Sequence, residues 1–222
     1  PGNQYVVAAK QLVSLEDVAI DMPAGPSEVE VLADETANPA FIAADLLSQA
    51  EHGADSQVLF VSTDLDLIGK VELELSEQLQ HLSRKEIAEQ ALLHSKTIYV
   101  EDMDTAVAIT NEYAPEHLII STKDYVDVSR RITHAGSVFL GNYSCESAGD
   151  YASGTNHTLP TKAYARSYGG LSLDSFVRKM TLQKLTPEGI NSIGHAVELM
   201  ASAEGLDAHK NAMTLRLKSL EK

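Results

Sequence analysis

The chain has 222 residues, of which 44% are hydrophobic and 22% charged, ordinary proportions for a globular protein with a buried core. Asp and Glu outnumber Lys and Arg by 32 to 17, which gives a formal net charge of −15. This negative charge argues against a nucleic acid or an anionic membrane as partner, because both are bound through basic surfaces.

Strand and helix patterns alternate over the first 140 residues. Five short segments are typical of strands, at 28–33, 57–62, 97–100, 117–121 and 137–140. The segments between and before them have helical periodicity, at 6–13, 39–49, 64–82, 83–93, 103–113 and 125–133. This alternation predicts an α/β fold, with a parallel, Rossmann-like sheet covered by helices on both faces. For the helix at 39–49 we predict Asn38 as N-cap, Pro39 as first residue and Gly53 as C-cap.

The remainder of the chain contains a long polar loop and a helical tail. Residues 146–160, ESAGDYASGTNHTLP, have neither a helical nor a strand period and are predicted to form a loop. Because this loop follows the last strand, we expect it beyond the carboxyl ends of the strands, where such sheets bind ligands. Helical patterns at 174–182, 187–203 and 206–220 then follow without a strand between them. This tail is too thin for a core of its own, so we expect it to pack on the α/β body or on another subunit.

Compartment and chain ends allow three further expectations. Cys145 is the single cysteine, so no intrachain disulfide can form, which suits a reducing compartment. Neither a run of 18 apolar residues nor a signal peptide is present, and we expect a soluble, cytoplasmic protein. Because the sequence opens on Pro1 as if within a fold, we also expect it to be part of a longer chain.

Two pairs of polar residues could carry chemistry in the first part of the chain. Gln49 and His52 lie three positions apart at a predicted helix end and so share a face, although a plain polar helix end would show the same pattern. Glu116 and His117 are adjacent before a strand and could divide acid and base work, although an exposed turn would also place them there. Ser27 is offered by a rigid PAGPSE turn, which could equally be only a turn.

Two further pairs lie later in the chain. Asp150 and His157 within the polar loop suit metal ligation or proton transfer, but their side chains could also merely stabilise the loop. Glu204 and His209 flank Gly205, which fits a corner between two helices as well as a site. Cys145 has no neighbouring His or Lys to activate its thiol, so its default role is packing. The residues alone thus allow a metal-dependent enzyme without specifying a reaction.

Five segments together strongly resemble the histidinol dehydrogenases, and they occur in that family's order: 21–34, 45–61, 111–118, 136–160 and 204–212. The resemblance implies a homodimer with one Zn²⁺ per subunit. It also implies NAD-dependent oxidation of L-histidinol to L-histidine through L-histidinaldehyde, the end of histidine biosynthesis.

The resemblance also implies a role for each matching residue. The metal ligands fall on Gln49, His52, Asp150 and His209, with His209 reaching the site of the opposite subunit, and the general-base pair falls on Glu116 and His117. A contact with NAD falls on Asn3. The substrate contacts fall on Ser27, Gln49, His52, His117, Asp150, Glu204 and His209, with Tyr151 and His157 close by.

From the resemblance we expect three regions: a remnant of the NAD-binding half at 1–26, an α/β catalytic and zinc-binding domain at 27–171, and a helical dimerisation tail at 172–222. Because only the last portion of the NAD-binding half is present, we expect this chain to bind NAD poorly and to be inactive alone. Two alternatives stay open, namely a non-catalytic zinc- or imidazole-binding fragment and a thiol-dependent aldehyde dehydrogenase that uses Cys145.

Overall fold

The structure, a computed structural model, describes residues 4–16 and 18–221. These residues form two units, the first ending at Val177 and the second beginning at Arg178. No helix in these two ranges is both long and apolar enough to cross a bilayer.

A parallel five-stranded sheet is the centre of the first unit and confirms the predicted α/β architecture. The strands lie in the order β3-β2-β1-β4-β5 and pair in parallel throughout. The chain builds outward from β1 to β3, then crosses back so that β4 pairs with the free side of β1, where Val29 lies beside His117. The strand bounds are β1 Glu28–Ala33, β2 Gln57–Ser62, β3 Lys96–Tyr99, β4 His117–Ser121 and β5 Ser137–Leu140.

Helices cover both faces of this sheet, as predicted. On one face, Val29 and Val31 of β1 join a core with α2 (Pro39–Ala50), α3 (Leu65–Leu79) and α4 (Lys85–Leu92). On the other face, Leu32 joins a second core with α5 (Met103–Tyr113) and α6 (Tyr125–Ser129). Because both faces are covered, every residue of β1 is buried, including its two glutamates. The first helix of the described residues, α1 (Gln4–Glu16), is longer than the predicted helix at 6–13.

The ends of α2 were predicted only in part. Asn38 caps its start by accepting from the backbone N–H groups of Ala40 and Phe41, and Pro39 is its first residue, as expected. The prediction of Gly53 as C-cap is wrong: the helix is capped by Glu51 in a right-handed conformation, so no left-handed glycine is required there.

Two predictions of secondary structure after β5 are wrong. The first six residues of the supposed loop form the short helix α7 (Glu146–Tyr151). The predicted helix at 174–182 is absent, and only a 3₁₀ turn, Leu173–Phe176, forms there. All residues from 177 to 186 are exposed, so this stretch lacks the packing that stabilises short helices in water.

The second unit contains two helices packed on each other, α8 (Pro187–Ala203) and α9 (Asp207–Leu220). Gly205 joins them in a left-handed conformation, φ +70°, as the helix-corner interpretation predicted. Ala201 and Leu217 are buried in this unit.

Candidate active site

A cavity of about 160 Å³ collects most of the predicted site residues of the first unit. Its lining includes the short turn before β1, the end of α2, the start of β4 and the segment that contains α7. The lining residues are Ala24, Gly25, Ser27, Gln49, His52, Glu116, His117, Glu146, Asp150, His157, Thr158 and Leu159.

The cavity lies at the amino ends of β1 and β4, so the expectation that the polar loop lies beyond the carboxyl ends is wrong. His117 is the first residue of β4, and its Nε2 atom lies 4.0 Å from Oδ1 of Asp150 on α7. After β5 the chain turns back along the sheet, and α7 packs against α2. Gly149 permits this close packing, because a Cβ there would lie 2.6 Å from the ring of Phe139 on β5.

Other predicted site residues lie outside this cavity. Tyr151 does not line it, and its side chain is 87% exposed. Glu204 and His209 belong to the second unit, where Glu204 caps α8 and His209 lies in the first turn of α9, both exposed. Asn3 lies outside the described residues. Cys145 precedes α7 and does not line the cavity.

Backbone atoms of Glu28 hold both members of the predicted general-base pair. The N–H of Glu28 donates to Oε2 of Glu116 at 2.8 Å. Nδ1 of His117 lies 3.1 Å from the carbonyl oxygen of Glu28. Because a carbonyl can only accept, Nδ1 of His117 carries the proton and Nε2 bears the free lone pair.

The environment of His117 favours a neutral imidazole. Burial lowers the pKa of His117, and the backbone carbonyl of Glu28 opposes this shift only in part. The Nε2 atom is buried and has no hydrogen-bond partner within the described ranges. A neutral imidazole with an unengaged, buried Nε2 can accept a proton from a ligand in the cavity.

Glu116 lies in an environment that favours its protonated form. Burial raises the pKa of Glu116 to about 9, and the carboxylates of Glu28, Glu146 and Asp150 act in the same direction. The hydrogen bond from the Glu28 backbone opposes the rise. The cavity wall therefore contains several acids that cannot all be ionised unless a positive charge lies among them.

Glu146 is a site residue that was missed in the sequence, although it opens the polar segment. Its carboxylate faces the side-chain amide of Gln49, whose nitrogen donates to Oε1 at 2.6 Å and to Oε2 at 3.0 Å when the amide is oriented to satisfy both groups. Burial, together with smaller contributions from Asp150 and Asp45, raises the pKa of Glu146 to about 8. A helix prediction for this segment would have identified Glu146 as a site candidate. It lies four residues before Asp150, and residues four apart share a helix face.

Glu28 was also missed. It is buried at the start of β1, where its Oε1 atom accepts from the backbone N–H of Lys162 at 2.9 Å. Burial raises the pKa of Glu28. The position of Glu28 in a central strand could have indicated its burial, because a central parallel strand is buried on both faces. A glutamate in such a strand is therefore a buried acid.

Three side chains offer atoms in a metal-like arrangement. One ligand atom each from His52, Glu146 and Asp150 lie within 4.8 Å of one another. Imidazole nitrogen and carboxylate oxygen are ligands that Zn²⁺ accepts. The arrangement therefore fits a divalent cation, with Gln49 lining the same cavity.

A larger cavity, about 540 Å³, lies elsewhere in the first unit, between β2, β3 and α5. Its wall is mostly apolar, with Val58, Leu59, Ile98 and Ile109 among its residues. It offers little for acid–base chemistry, so the smaller cavity is the better candidate for an active site despite its size.

Comparison with known proteins agrees with the resemblance seen in the sequence. Residues 1–217 match the family model described as histidinol dehydrogenase. A histidinol dehydrogenase of Bacteroides fragilis (strain YCH46) is 65% identical over 222 residues, all of this chain and 52% of that protein. The chloroplastic histidinol dehydrogenase of Arabidopsis thaliana is 57% identical, over all of this chain and 48% of that protein.

A solved structure gives the same result for the fold. The crystal structure of histidinol dehydrogenase from Elizabethkingia anophelis superposes with a TM-score of 0.95 at 59% identity, over all of this chain and 51% of that one. The chain spans about half the length of the curated relatives it matches. On the match over residues 1–217 and these identities, the chain belongs to the histidinol dehydrogenase family.

Proposed function

We propose that this chain supplies the catalytic and zinc-binding residues for the NAD-linked oxidation of L-histidinol to L-histidine through L-histidinaldehyde, the last steps of histidine biosynthesis. The observation that carries the proposal is that His52, Glu146 and Asp150 lie beside a neutral His117 in the same cavity. Family membership supplies the substrate, and we propose a cytoplasmic location for the enzyme.

Zinc would be held in the first unit by His52 and Asp150, with Gln49 as a third ligand. When bound, zinc would anchor the amine and imidazole of the substrate and orient its alcohol, while NAD would accept a hydride in each oxidation. Ser27 and His157 also line the cavity and are proposed substrate contacts, together with the exposed Tyr151.

His117 is the proposed base for the alcohol. Its Nδ1–H is held by the carbonyl of Glu28, so the ring is fixed and Nε2 receives the hydroxyl proton. Burial keeps the imidazole neutral before the reaction, which is the state that a general base requires.

Glu116 is the proposed base for the water that hydrates the aldehyde. It must first lose its own proton, because burial and neighbouring acids raise its pKa to about 9. A cation that offsets the charges of those acids would lower this pKa toward the working range. The backbone N–H of Glu28 keeps the carboxyl oriented throughout.

The remaining assignments follow the family resemblance. We propose that the enzyme is a homodimer in which Glu204 and His209 complete the site of the opposite subunit, His209 as the fourth zinc ligand. Within the chain, 27–171 would be the catalytic domain and 172–222 the dimerisation tail. Residues 1–26 would belong to the NAD-binding half, with Asn3 as a contact to NAD.

Metal analysis of the purified chain, reconstituted with zinc and dialysed, tests the proposal. We expect about one zinc per chain in the wild type, and loss of zinc in His52→Asn and Asp150→Asn. His81→Asn, an exposed histidine outside the cavity, is the matched control and should keep its zinc.

Calorimetric titration of the same samples with L-histidinol should show binding that depends on zinc. Cys145→Ser should leave both zinc and histidinol binding unchanged, whereas its loss of histidinol binding would favour the thiol-dependent alternative. A folded wild-type chain that retains no more zinc than Asp150→Asn would refute the proposed zinc site.

A further inference from the structure

We propose that Glu146 is a positioning residue: its carboxylate holds the nitrogen of the Gln49 side-chain amide, so that the amide oxygen remains available to a divalent cation. The inference rests on the zinc site proposed above and assigns to Glu146 a role that acts through Gln49.

The contact is buried and geometrically specific. The exposed fraction is 0% for Gln49 and 2% for Glu146, so neither side chain can exchange its partner for bulk water. In the amide orientation that satisfies both groups, the Gln49 nitrogen lies 2.6 and 3.0 Å from the two carboxylate oxygens of Glu146. When Glu146 is ionised, the reverse orientation would set the amide oxygen against two acceptors with no proton between them, which is costly in a buried site.

The amide orientation matters because the two ends of glutamine differ chemically. The carbonyl oxygen can ligate a cation, whereas the NH₂ group offers only donors and would repel one. A glutamine that rotated freely would present the wrong end for part of the time. Glu146 removes this freedom by binding the donor end in a place where water cannot compete.

The neighbours of Glu146 place this function beside the other proposed ligands. Its carboxylate lies with ligand atoms of His52 and Asp150 within 4.8 Å, and Gln49 lines the same cavity. In that amide orientation the Gln49 nitrogen engages both oxygens of Glu146, which is why we assign positioning rather than ligation to this carboxylate. Partners that orient metal ligands in this way typically change metal affinity 10- to 100-fold when they are removed.

The first measurement concerns the amide itself and needs no metal. In ¹H–¹⁵N spectra of the metal-free chain, the side-chain NH₂ signal of Gln49, identified by its absence in Gln49→Ala, should exchange slowly with water. It should lose this protection in Glu146→Ala. Glu72→Gln, which removes one negative charge from an exposed position of α3, is the control and should leave the signal unchanged.

The second measurement is the zinc affinity, obtained by competition with a chelator. We expect Glu146→Ala, and the nearly isosteric Glu146→Gln, to weaken zinc binding about 10- to 100-fold. If Glu146 acts through Gln49, the double variant Gln49→Ala/Glu146→Ala should bind zinc as Gln49→Ala does, because the two losses are not independent.

Each result decides between defined alternatives. Losses that multiply in the double variant would show that Glu146 ligates zinc directly and would overturn the inference. Unchanged affinity in a folded Glu146→Gln variant, or a Gln49 amide that exchanges equally fast with and without Glu146, would also overturn it. A wild-type chain that binds no zinc would refute the proposed function, while the Gln49 amide signal would still decide whether Glu146 holds it.

Discussion

Glu30 in the centre of β1 is the most deeply buried acid of the sheet, and its exposed fraction is 0%. The hydroxyl of Thr110 donates to Oε1, whereas Oε2 has no partner within the described ranges. Burial raises the pKa of Glu30 to about 8, and the bond from Thr110 opposes the rise. Glu30 is therefore protonated at neutral pH, when the same side chain in the unfolded chain is ionised.

This difference makes the stability of the fold depend on pH in a defined direction. Below the unfolded pKa of 4.5, Glu30 is protonated in both states and carries no penalty. As the pH rises from about 4.5 to 8, only the unfolded chain can release the proton, so the folded state loses stability. Above about 8 the loss is complete, and for so buried a group it is on the order of a few kcal/mol.

Glu30→Gln should remove this dependence, because glutamine keeps an oxygen that can accept from Thr110 but cannot ionise. In urea unfolding at pH 5 and pH 8, the free energy of unfolding of the wild type should fall relative to that of the variant. Glu72→Gln serves as the exposed control and should follow the wild type. Parallel pH profiles for the wild type and Glu30→Gln would show that Glu30 ionises equally in both states.

Residue identities in the site were predictable to different degrees. Five residues were predicted from the sequence and line one cavity in the structure: Gln49, His52, Glu116, His117 and Asp150. Their roles came from family resemblance, since each pair taken alone also had a plain structural explanation. Glu28 and Glu146 were missed because their significance is burial, which a residue acquires only from the elements that pack around it.

At the scale of elements, the turn into β5 fixes the backbone of Glu116. The N–H of Gly136 donates to the carbonyl of Pro115, and the N–H of Ser137 donates to that of Glu116, both at 2.9 Å. A Cβ added to Gly136 would lie 2.5 Å from the backbone oxygen of Glu116. Since backbone cannot rotate aside as a side chain can, the pairing of β4 with β5 would have to shift.

Gly136→Ala should therefore destabilise the fold by about 1–3 kcal/mol, the range of overpacking in a well-packed region. The matched substitution is Gly69→Ala in α3, where no atom other than those of the adjoining helix backbone lies within 4 Å of the added methyl group. That change should instead stabilise the helix by up to about 1 kcal/mol, because alanine is the better helix former.

The free energy of unfolding of both alanine variants, measured in urea, tests this contrast. Equal effects of the two substitutions would mean that the close approach at Gly136 relaxes without cost. A larger loss at Gly69 than at Gly136 would contradict the packing argument altogether.

Elements were predicted well where local signals and tertiary packing agree. The strands at 28–33, 57–62, 117–121 and 137–140 have the predicted bounds, because short apolar runs between turn residues are typical of a buried parallel sheet. The helix predicted at 174–182 failed because its periodicity has no surface to pack against in the structure. The polar loop was predicted at the wrong end of the strands because α7 folds back along the sheet. That fold depends on the contact of Gly149 with Phe139 and not on any local sequence pattern.

At the scale of the whole molecule, two compact units are joined by a stretch without helix or strand. All residues from 177 to 186 are exposed, and this stretch includes Arg178, Lys179 and Lys184. Proteases cut preferentially at exposed backbone without regular secondary structure, whereas cleavage within a helix or strand requires local unfolding. The division into units therefore predicts where a protease acts first.

Brief digestion with trypsin should cut first after Arg178, Lys179 or Lys184 and release fragments that contain the intact sheet and the intact helix pair, as identified by mass spectrometry. Replacing all three with Gln should slow this first cut strongly, whereas Lys70→Gln in α3 should not. Early cleavage at Lys70 within α3 or at Lys210 within α9 would contradict the two-unit description. Protection of the stretch that increases with protein concentration would show that a second copy covers it, which is the behaviour expected if the region after 172 is a dimerisation tail.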